Sequence, residues 1–134
     1  MLPITERVIT ELDVLYGLYL LALDESNRLV PDDDESIVRT LESRDKILTR
    51  TEAAASEALK WMQAMDEEKN IPVNELALIA EKRRMILDVV GKITRTDSLV
   101  LREMHSRLGA LRRELARHGE RRNAIHAYIT APSV

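Results

Sequence analysis

The feature that most constrains the fold is a heptad-like run of apolar residues between about Asn70 and Tyr128. No proline lies between Pro72 and Pro132. Apolar residues three and four positions apart form one stripe along one side of an α-helix. A continuous helix from Pro72 to His118 would be about 70 Å long, whereas a compact chain of this length has a radius of gyration of about 14 Å. The helix therefore either folds back or overhangs, and an overhanging apolar stripe needs a partner.

Composition favours a helical protein held together by aliphatic side chains. The 134-residue chain is 45% hydrophobic, 32% charged and only 3% aromatic, with no phenylalanine. This balance is typical of a charge-laced helical bundle that forms one domain over residues 1–134. The absence of cysteine excludes disulfides and thiolate metal sites and favours a cytoplasmic location. The net charge of −3 indicates no nucleic acid partner, and the apolar window Leu12–Leu23 is too short for membrane insertion.

Capping residues and prolines divide the chain into three predicted helices. The first is expected over about 4–24 and the second over about 35–67, after a polar turn with Asp34 as N-cap. Asn70 and Pro72 are expected to open the third helix. Its end has two interpretations, which are one long helix and a short fourth helix over 120–129. The predicted fold is all-α, an elongated antiparallel hairpin or three-helix bundle with a long third helix.

The alternative with a fourth helix depends on two weak points in the third. Residues 94–98 are its poorest helix-forming stretch and could hold a kink. The pair His118–Gly119 has the sequence of a helix C-cap, with Gly119 in a left-handed conformation. A chain that turned at either point could fold back over the bundle and cover the apolar stripe.

Two charged residues interrupt the apolar stripes of the second and third helices at matching levels. If these helices run antiparallel about a turn near residue 69 or 70, Arg44 lies level with residues 95–97. Arg44 and Asp97 are therefore predicted to form a partly buried ion pair. Such a pair adds little net stability, but it can fix the register of two helices.

The same antiparallel alignment of the second and third helices leaves the last part of the third helix without a facing helix. A bundle over about 4–103 would leave an overhang over about 104–129. Exposed apolar stripes of this size usually mark interaction sites. The alternatives are a fourth helix folded back over the stripe and a homodimer that buries it. The residues predicted to bind a partner are Leu101, Met104, Leu108, Leu111, Leu115, Ile125 and Tyr128.

No residue pattern indicates catalysis, a cofactor or a metal. The three histidines are His105, His118 and His126, and no two of them are three or four apart on a helix face. The acidic run 32–35 lacks the alternating ligands of a calcium loop. No phosphate-binding glycine loop or nucleophile elbow is present. The sequence therefore predicts a protein that is not an enzyme and has no catalytic, cofactor-binding or metal-binding residues.

Charge is distributed unevenly along the chain. Residues 102–122 carry seven arginines against three glutamates, whereas residues 24–45 carry eight acidic residues against three arginines. A basic helix can bind phosphate backbones, membranes or acidic protein surfaces. No aromatic residues lie between these arginines to stack on bases. A bundle surface with balanced charge is therefore favoured over a nucleic-acid site.

The opening of the chain faintly resembles that of the all-helical chorismate mutases. The residues that carry this likeness are Arg7, Ile9, Leu12, Asp13 and Leu15. Those enzymes hold a dicarboxylate with several inward arginine and lysine residues. Here the run Ala-Leu-Asp at 22–24 stands where the next arginine would be expected. This enzyme stays a minor alternative.

Three stretches together resemble the small helical export chaperones of the bacterial flagellar type III system, of the FlgN and FliT type. They are 19–34, a helix that ends in an acid-rich turn, 37–48, with the pattern IVRTLESRDKIL, and 93–128, with regularly spaced leucines and an arginine-rich stripe. Members serving the hook–filament junction often show two asparagines three apart near the middle of the last long helix. This chain has Thr94, Asp97 and Ser98 there, which favours the filament-cap type.

The resemblance implies a cytoplasmic chaperone without enzymatic activity. Its client would be a helical end segment of a hook-associated or filament-cap protein, delivered to the export apparatus. Recognition would place a helix in a groove with apolar anchors at helical spacing. Carried over to this chain, the resemblance implies a client stripe of Leu101, Met104, Leu108, Leu111 and Leu115. Tyr128 matches a tyrosine often found late in these chains, for which the resemblance implies a role in docking to the export machinery.

Overall fold

The protein folds into three long α-helices. The computed structural model describes the backbone of residues 1–29 and 33–130, and their side chains except at 118 and 121–130. The helices are α1 (Pro3–Asn27), α2 (Asp34–Asp66) and α3 (Val73–Thr130). The described residues contain no β-strand, so the predicted all-α class is confirmed. None of the described helices contains a window long and apolar enough to cross a membrane.

Local sequence sets where α1 and α2 begin. Pro3 lies in the first turn of α1, where a backbone N–H is not needed. The carboxylate of Asp33 accepts a 3.1 Å hydrogen bond from the backbone N–H of Ser36. The N-cap of α2 is therefore Asp33 and not the predicted Asp34. Both carboxylates lie at the positive end of the helix, so either can interact favourably with it.

The connection between α2 and α3 is a tight turn. Asn70 has a φ of 68°, the left-handed conformation that asparagine tolerates better than most residues. The carbonyl of Pro72 accepts 3.1 Å hydrogen bonds from the backbone N–H groups of Glu75 and Leu76. These bonds close the first turn of α3, which begins at Val73. The turn thus lies where the sequence predicts it.

Helix α3 runs without interruption for 58 residues, which is about 87 Å at 1.5 Å per residue. Of the two interpretations of this part of the chain, one long helix is therefore the one observed, and the alternative of a separate fourth helix over 120–129 is wrong. Near the kink site, the Thr94 hydroxyl donates a 2.9 Å bond to the Val90 carbonyl, so the threonine is accommodated within the helix. The expected left-handed cap at Gly119 is also absent, because no described glycine has a positive φ.

Helix α1 lies between α2 and α3 and holds them together. Val8, Leu12 and Leu15 are buried in one cluster with apolar residues of both other helices. A second cluster joins Ala22 to Val89 and Ile93 of α3. In the described residues, no Cα atom of α2 comes within 8 Å of one in α3. The close backbone contacts of the described bundle are therefore those that α1 makes with each of the other two helices.

Two polar contacts fix α1 parallel to α3. The buried carboxylate of Glu75 accepts a 2.8 Å hydrogen bond from the backbone N–H of Leu2. Further along, Lys82 lies 2.8 Å from the carboxylate of Asp13. Together with the contact of Ala22 with Val89 and Ile93, these pairs show that α1 and α3 start at the same end. Helix α1 stops near the level where α3 has reached its middle.

Candidate partner-binding groove

A groove opens between α2 and α3 beyond the end of α1. It has a volume of about 580 Å³, and Leu29, just after α1, lines it. Because α1 separates α2 from α3, the space between them continues past Asn27 without a helix of the described chain to fill it. The lining is Leu29, Ile37, Val38, Leu41, Glu42, Arg44, Asp45, Leu48, Asp97, Val100, Leu101 and Met104.

A second section of about 360 Å³ continues toward the start of α2. Three residues, Ile37, Leu101 and Met104, line both sections, so the two are treated as one surface, here called the partner groove. The lining of this second section is Asp34, Ile37, Leu101, Met104, His105, Arg107, Leu108 and Leu111. Most of the partner groove is therefore aliphatic, with charged side chains along its edges.

Arg44 and Asp97 lie at one end of the partner groove and join its two walls. Nη1 of Arg44 donates a 2.8 Å hydrogen bond to Oδ1 of Asp97, and Nη2 contacts Oδ2. The two side chains are only 17% and 21% exposed. The Nε atom of Arg44 is buried without a hydrogen-bond partner among the described residues. This bidentate pair has the register expected from the sequence, and it joins α2 to α3 directly near the level where α1 ends.

The ion pair also shows how far α2 extends along α3. Since Arg44 is level with Asp97 and the helices are antiparallel, Asp34 should be level with Arg107. Both residues do line the same section of the partner groove. The part of α3 without a facing helix therefore begins near residue 108 and not at the expected 104. It extends for about 34 Å to residue 130.

The predicted partner-binding residues divide into two groups. Leu101, Met104, Leu108 and Leu111 form the α3 wall of the partner groove. Leu115 lies beyond it on the unpaired part of α3 and is 69% exposed. These five residues follow a 3-4-3-4 spacing and lie on one stripe. The side chains of Ile125 and Tyr128 lie outside those that the structure describes, and their positions in α3 are helical.

The other wall of the partner groove belongs to α2, and its residues were not predicted from the sequence as part of a binding surface. Leu41 belongs to the apolar seam of α2, four residues after Ile37, but it is 44% exposed. Its neighbour Val38 is 55% exposed, and both line the partner groove. The signal was present, because the apolar seam of α2 continues to Ile37, whereas the apolar positions of α1 end near Leu23. A comparison of the two seam lengths would have indicated an uncovered section.

Charges at the edges of the partner groove have opposite signs on its two walls. On α2, the carboxylates of Asp34, Glu42 and Asp45 line the partner groove. On α3, Arg107 lines the same section as Asp34. Apart from the Arg44–Asp97 pair, the α2 wall is therefore acidic. A partner that covers this wall should present basic residues along one flank of its apolar face.

The interior of the bundle offers little polar chemistry. Glu75 is the only charged residue among the buried side chains described, and it is used to bind the backbone of Leu2. No group of three or more potential metal ligands occurs among the described residues. No arginine or lysine is among the buried residues of the described part of the chain. Comparison of the chain with protein-family models, curated proteins and solved structures finds no match.

Proposed function

We propose that this chain is a cytoplasmic export chaperone of the flagellar type III system, of the FlgN and FliT type. It would hold a helical segment of a hook-associated or filament-cap protein and deliver it to the export apparatus. The observation that carries the proposal is the partner groove, an aliphatic channel that continues the position of α1 between α2 and α3. The sequence resemblance is the reason to propose a flagellar client, and the partner groove is the surface to which we propose that this client binds.

A helix is the occupant that fits this channel best. Between the levels of Asp97 and Leu111 it extends for about 21 Å, or about four helical turns. Its walls come from two helices whose described Cα atoms do not approach within 8 Å of each other, and α1 packs against both of them elsewhere. The buried residues Val8, Leu12 and Leu15 of α1 show the required pattern, with apolar side chains four and three apart. Helix-in-groove recognition uses this spacing.

Charged substitutions in the partner groove would test the proposal. The variant Leu101→Glu/Leu108→Glu places two carboxylates where a client helix would be buried, which carries a large desolvation cost. The control is Leu87→Glu/Leu99→Glu, because both leucines are on α3 and are 69% and 63% exposed but neither lines the partner groove. Binding to purified hook-associated and filament-cap proteins would be measured by titration calorimetry.

The expected result is binding to one such protein by the unaltered chain and by the control. The variant in the partner groove should bind at least about tenfold more weakly. Circular dichroism should show the same helix content in all three proteins. The proposal would be overturned if no junction or cap protein bound, or if both double variants weakened binding equally.

A further inference from the structure

We infer that the helix bound in the partner groove runs in the same direction as α1, with its N-terminus beside the end of α1 and its C-terminus beside the start of α2. The bound helix carries basic residues in its first turns and acidic residues in its last turns. This inference rests on the proposed function only in that a helix fills the partner groove, and that helix need not be flagellar.

The C-terminus of α1 lies at one end of the partner groove. Ala22 packs against Val89 and Ile93 of α3. Since α1 and α3 are parallel, Asn27, the last residue of α1, is level with about residue 96 of α3. Asp97 lines the partner groove at this level. A helix in the partner groove therefore lies end to end with α1.

The end of α1 is negatively charged. The C-terminus of a helix carries a partial negative charge, and the last turn of α1 contains no basic residue. Arg28, which follows α1, forms ion pairs with both Asp24 and Glu25, so these three side chains have one negative charge in excess. The N-terminus of a second helix, with its partial positive charge, fits this position.

The α2 wall is acidic at the same end of the partner groove. Glu42 and Asp45 line it, two positions before and one position after Arg44, which is bonded to Asp97. Neither carboxylate forms an ion pair with another described residue. Basic side chains in the first turns of the bound helix would therefore be attracted to this wall.

The opposite end of the partner groove is more positive. Arg107 lines it together with Asp34, so the two charges of this section balance. Arg112 follows four residues after Leu108 and lies on the same side of α3. Beyond the partner groove, residues 112–122 carry five arginines against two glutamates. The partial negative charge of a helix C-terminus and acidic side chains fit this end.

The two ends therefore favour the same direction. A reversed helix would place its negative C-terminus against the C-terminus of α1 and beside Glu42 and Asp45. Its positive N-terminus would lie beside the arginines of α3. Both contacts join charges of the same sign. The favoured direction is also the one that α1 has, parallel to α3 and antiparallel to α2.

Two synthetic peptides of about 16 residues, slightly more than four helical turns, test this direction. Both have leucines at alternating spacings of three and four and the same composition. The basic-first peptide has lysines in its first half and glutamates in its second half, and the acidic-first peptide has the reverse. The acidic-first peptide is the more stable isolated helix, so a preference for the other cannot come from helix propensity. Titration calorimetry would measure binding to the full-length chain.

A charge-reversal variant tests the acidic wall. Glu42→Lys/Asp45→Lys makes this end of the partner groove basic. The control is Glu52→Lys/Glu57→Lys, which makes the same change of charge at exposed positions of α2 that do not line the partner groove. Circular dichroism should show equal helix content in all three proteins.

Spin labels would measure the direction itself. The chain has no cysteine, so Thr49→Cys and Ala110→Cys can each carry one nitroxide. Both positions are exposed, lie outside the lining of the partner groove and keep the charge unchanged. Double electron–electron resonance would give the distance from each to a nitroxide at the N-terminus of the basic-first peptide.

The unaltered chain and the control variant are expected to bind the basic-first peptide at least about tenfold more tightly than the acidic-first peptide. Glu42→Lys/Asp45→Lys should abolish or reverse this preference, and the peptide N-terminus should lie closer to residue 49 than to residue 110. Binding of neither peptide, equal binding of both, an unchanged preference in this variant or closer approach to residue 110 would overturn the inference. The expected results without affinity for any flagellar protein would support it and count against the proposed client alone.

Discussion

Removing one member of the Arg44–Asp97 ion pair should lower the free energy of unfolding more than replacing both members with apolar residues. Replacing Asp97 with alanine leaves the guanidinium of Arg44 in a site that is 17% exposed. Its Nε atom is already without a partner among the described residues, so the loss of the carboxylate removes both remaining bonds. The double variant Arg44→Met/Asp97→Ala leaves no charge to desolvate. Comparison of the two variants therefore separates the net contribution of the ion pair to the free energy of unfolding from the cost of leaving one charge buried alone.

The magnitude follows from burial. Breaking a fully buried pair costs about 3–5 kcal/mol, whereas replacing both members by apolar residues is close to neutral. Because about a fifth of each side chain is exposed, we expect about 2 kcal/mol for Asp97→Ala and less than about 1 kcal/mol for the double variant. At about 2.1 cal/mol/K per residue, 2 kcal/mol corresponds to a fall in Tm of about 7 °C for this chain.

Urea unfolding monitored by circular dichroism would measure these free energies. The control is Asp88→Ala, which breaks an exposed pair with Lys92 on the same helix and should cost less than about 0.5 kcal/mol. Both single variants replace aspartate by alanine in α3, so their intrinsic helix propensities cancel in the comparison. Equal destabilisation by Asp97→Ala and by the double variant would refute the reasoning.

Four further substitutions, one of them a control, test the fold. Leu12→Ala should cost about 2–5 kcal/mol in urea unfolding because the side chain is 2% exposed, whereas Leu21→Ala, 48% exposed, should change little. Glu75→Ala should increase hydrogen exchange at Leu2 and cost about 1–3 kcal/mol, and retention of protection there would contradict this. Asp33→Ala should cost about 1 kcal/mol by removing the N-cap of α2, and an unchanged melting temperature would count against that role.

The elements most accurately predicted from sequence are those with local signals at their ends. Proline at the start of α1, the acidic residues before α2 and the Asn70–Pro72 turn each act within a few residues, and the observed bounds lie within three residues of the predicted ones. The end of α3 was predicted less well. Threonines and a glycine weaken a helix in isolation, but Thr94 bonds back to Val90 and Asp97 is held by Arg44. The first bond satisfies the threonine hydroxyl inside the helix, and the second ties this stretch of α3 to α2.

The candidate site was predicted in part. The spacing of Leu101, Leu108 and Leu111 identified the α3 wall, because an apolar stripe is a property of one helix. The α2 wall was missed because exposure at Leu41 depends on where a different helix ends. That information is non-local, since it requires the positions of α1 and α2 relative to α3. The ion pair was predicted because a hairpin turn makes residue levels calculable from sequence numbers alone.

The partner groove follows from unequal helix lengths. Helix α1 has 25 residues, whereas α2 has 33 and α3 has 58. Where α1 is present, it covers the inner faces of both neighbours. Where it ends, the same faces continue as Leu41 and Leu101, each about half exposed. Burying a leucine fully contributes about 1.5–3 kcal/mol, part of which these residues do not gain in the isolated chain. A helix placed in the partner groove would bury these side chains and gain that part, so binding of a helix there would continue the packing that forms the core.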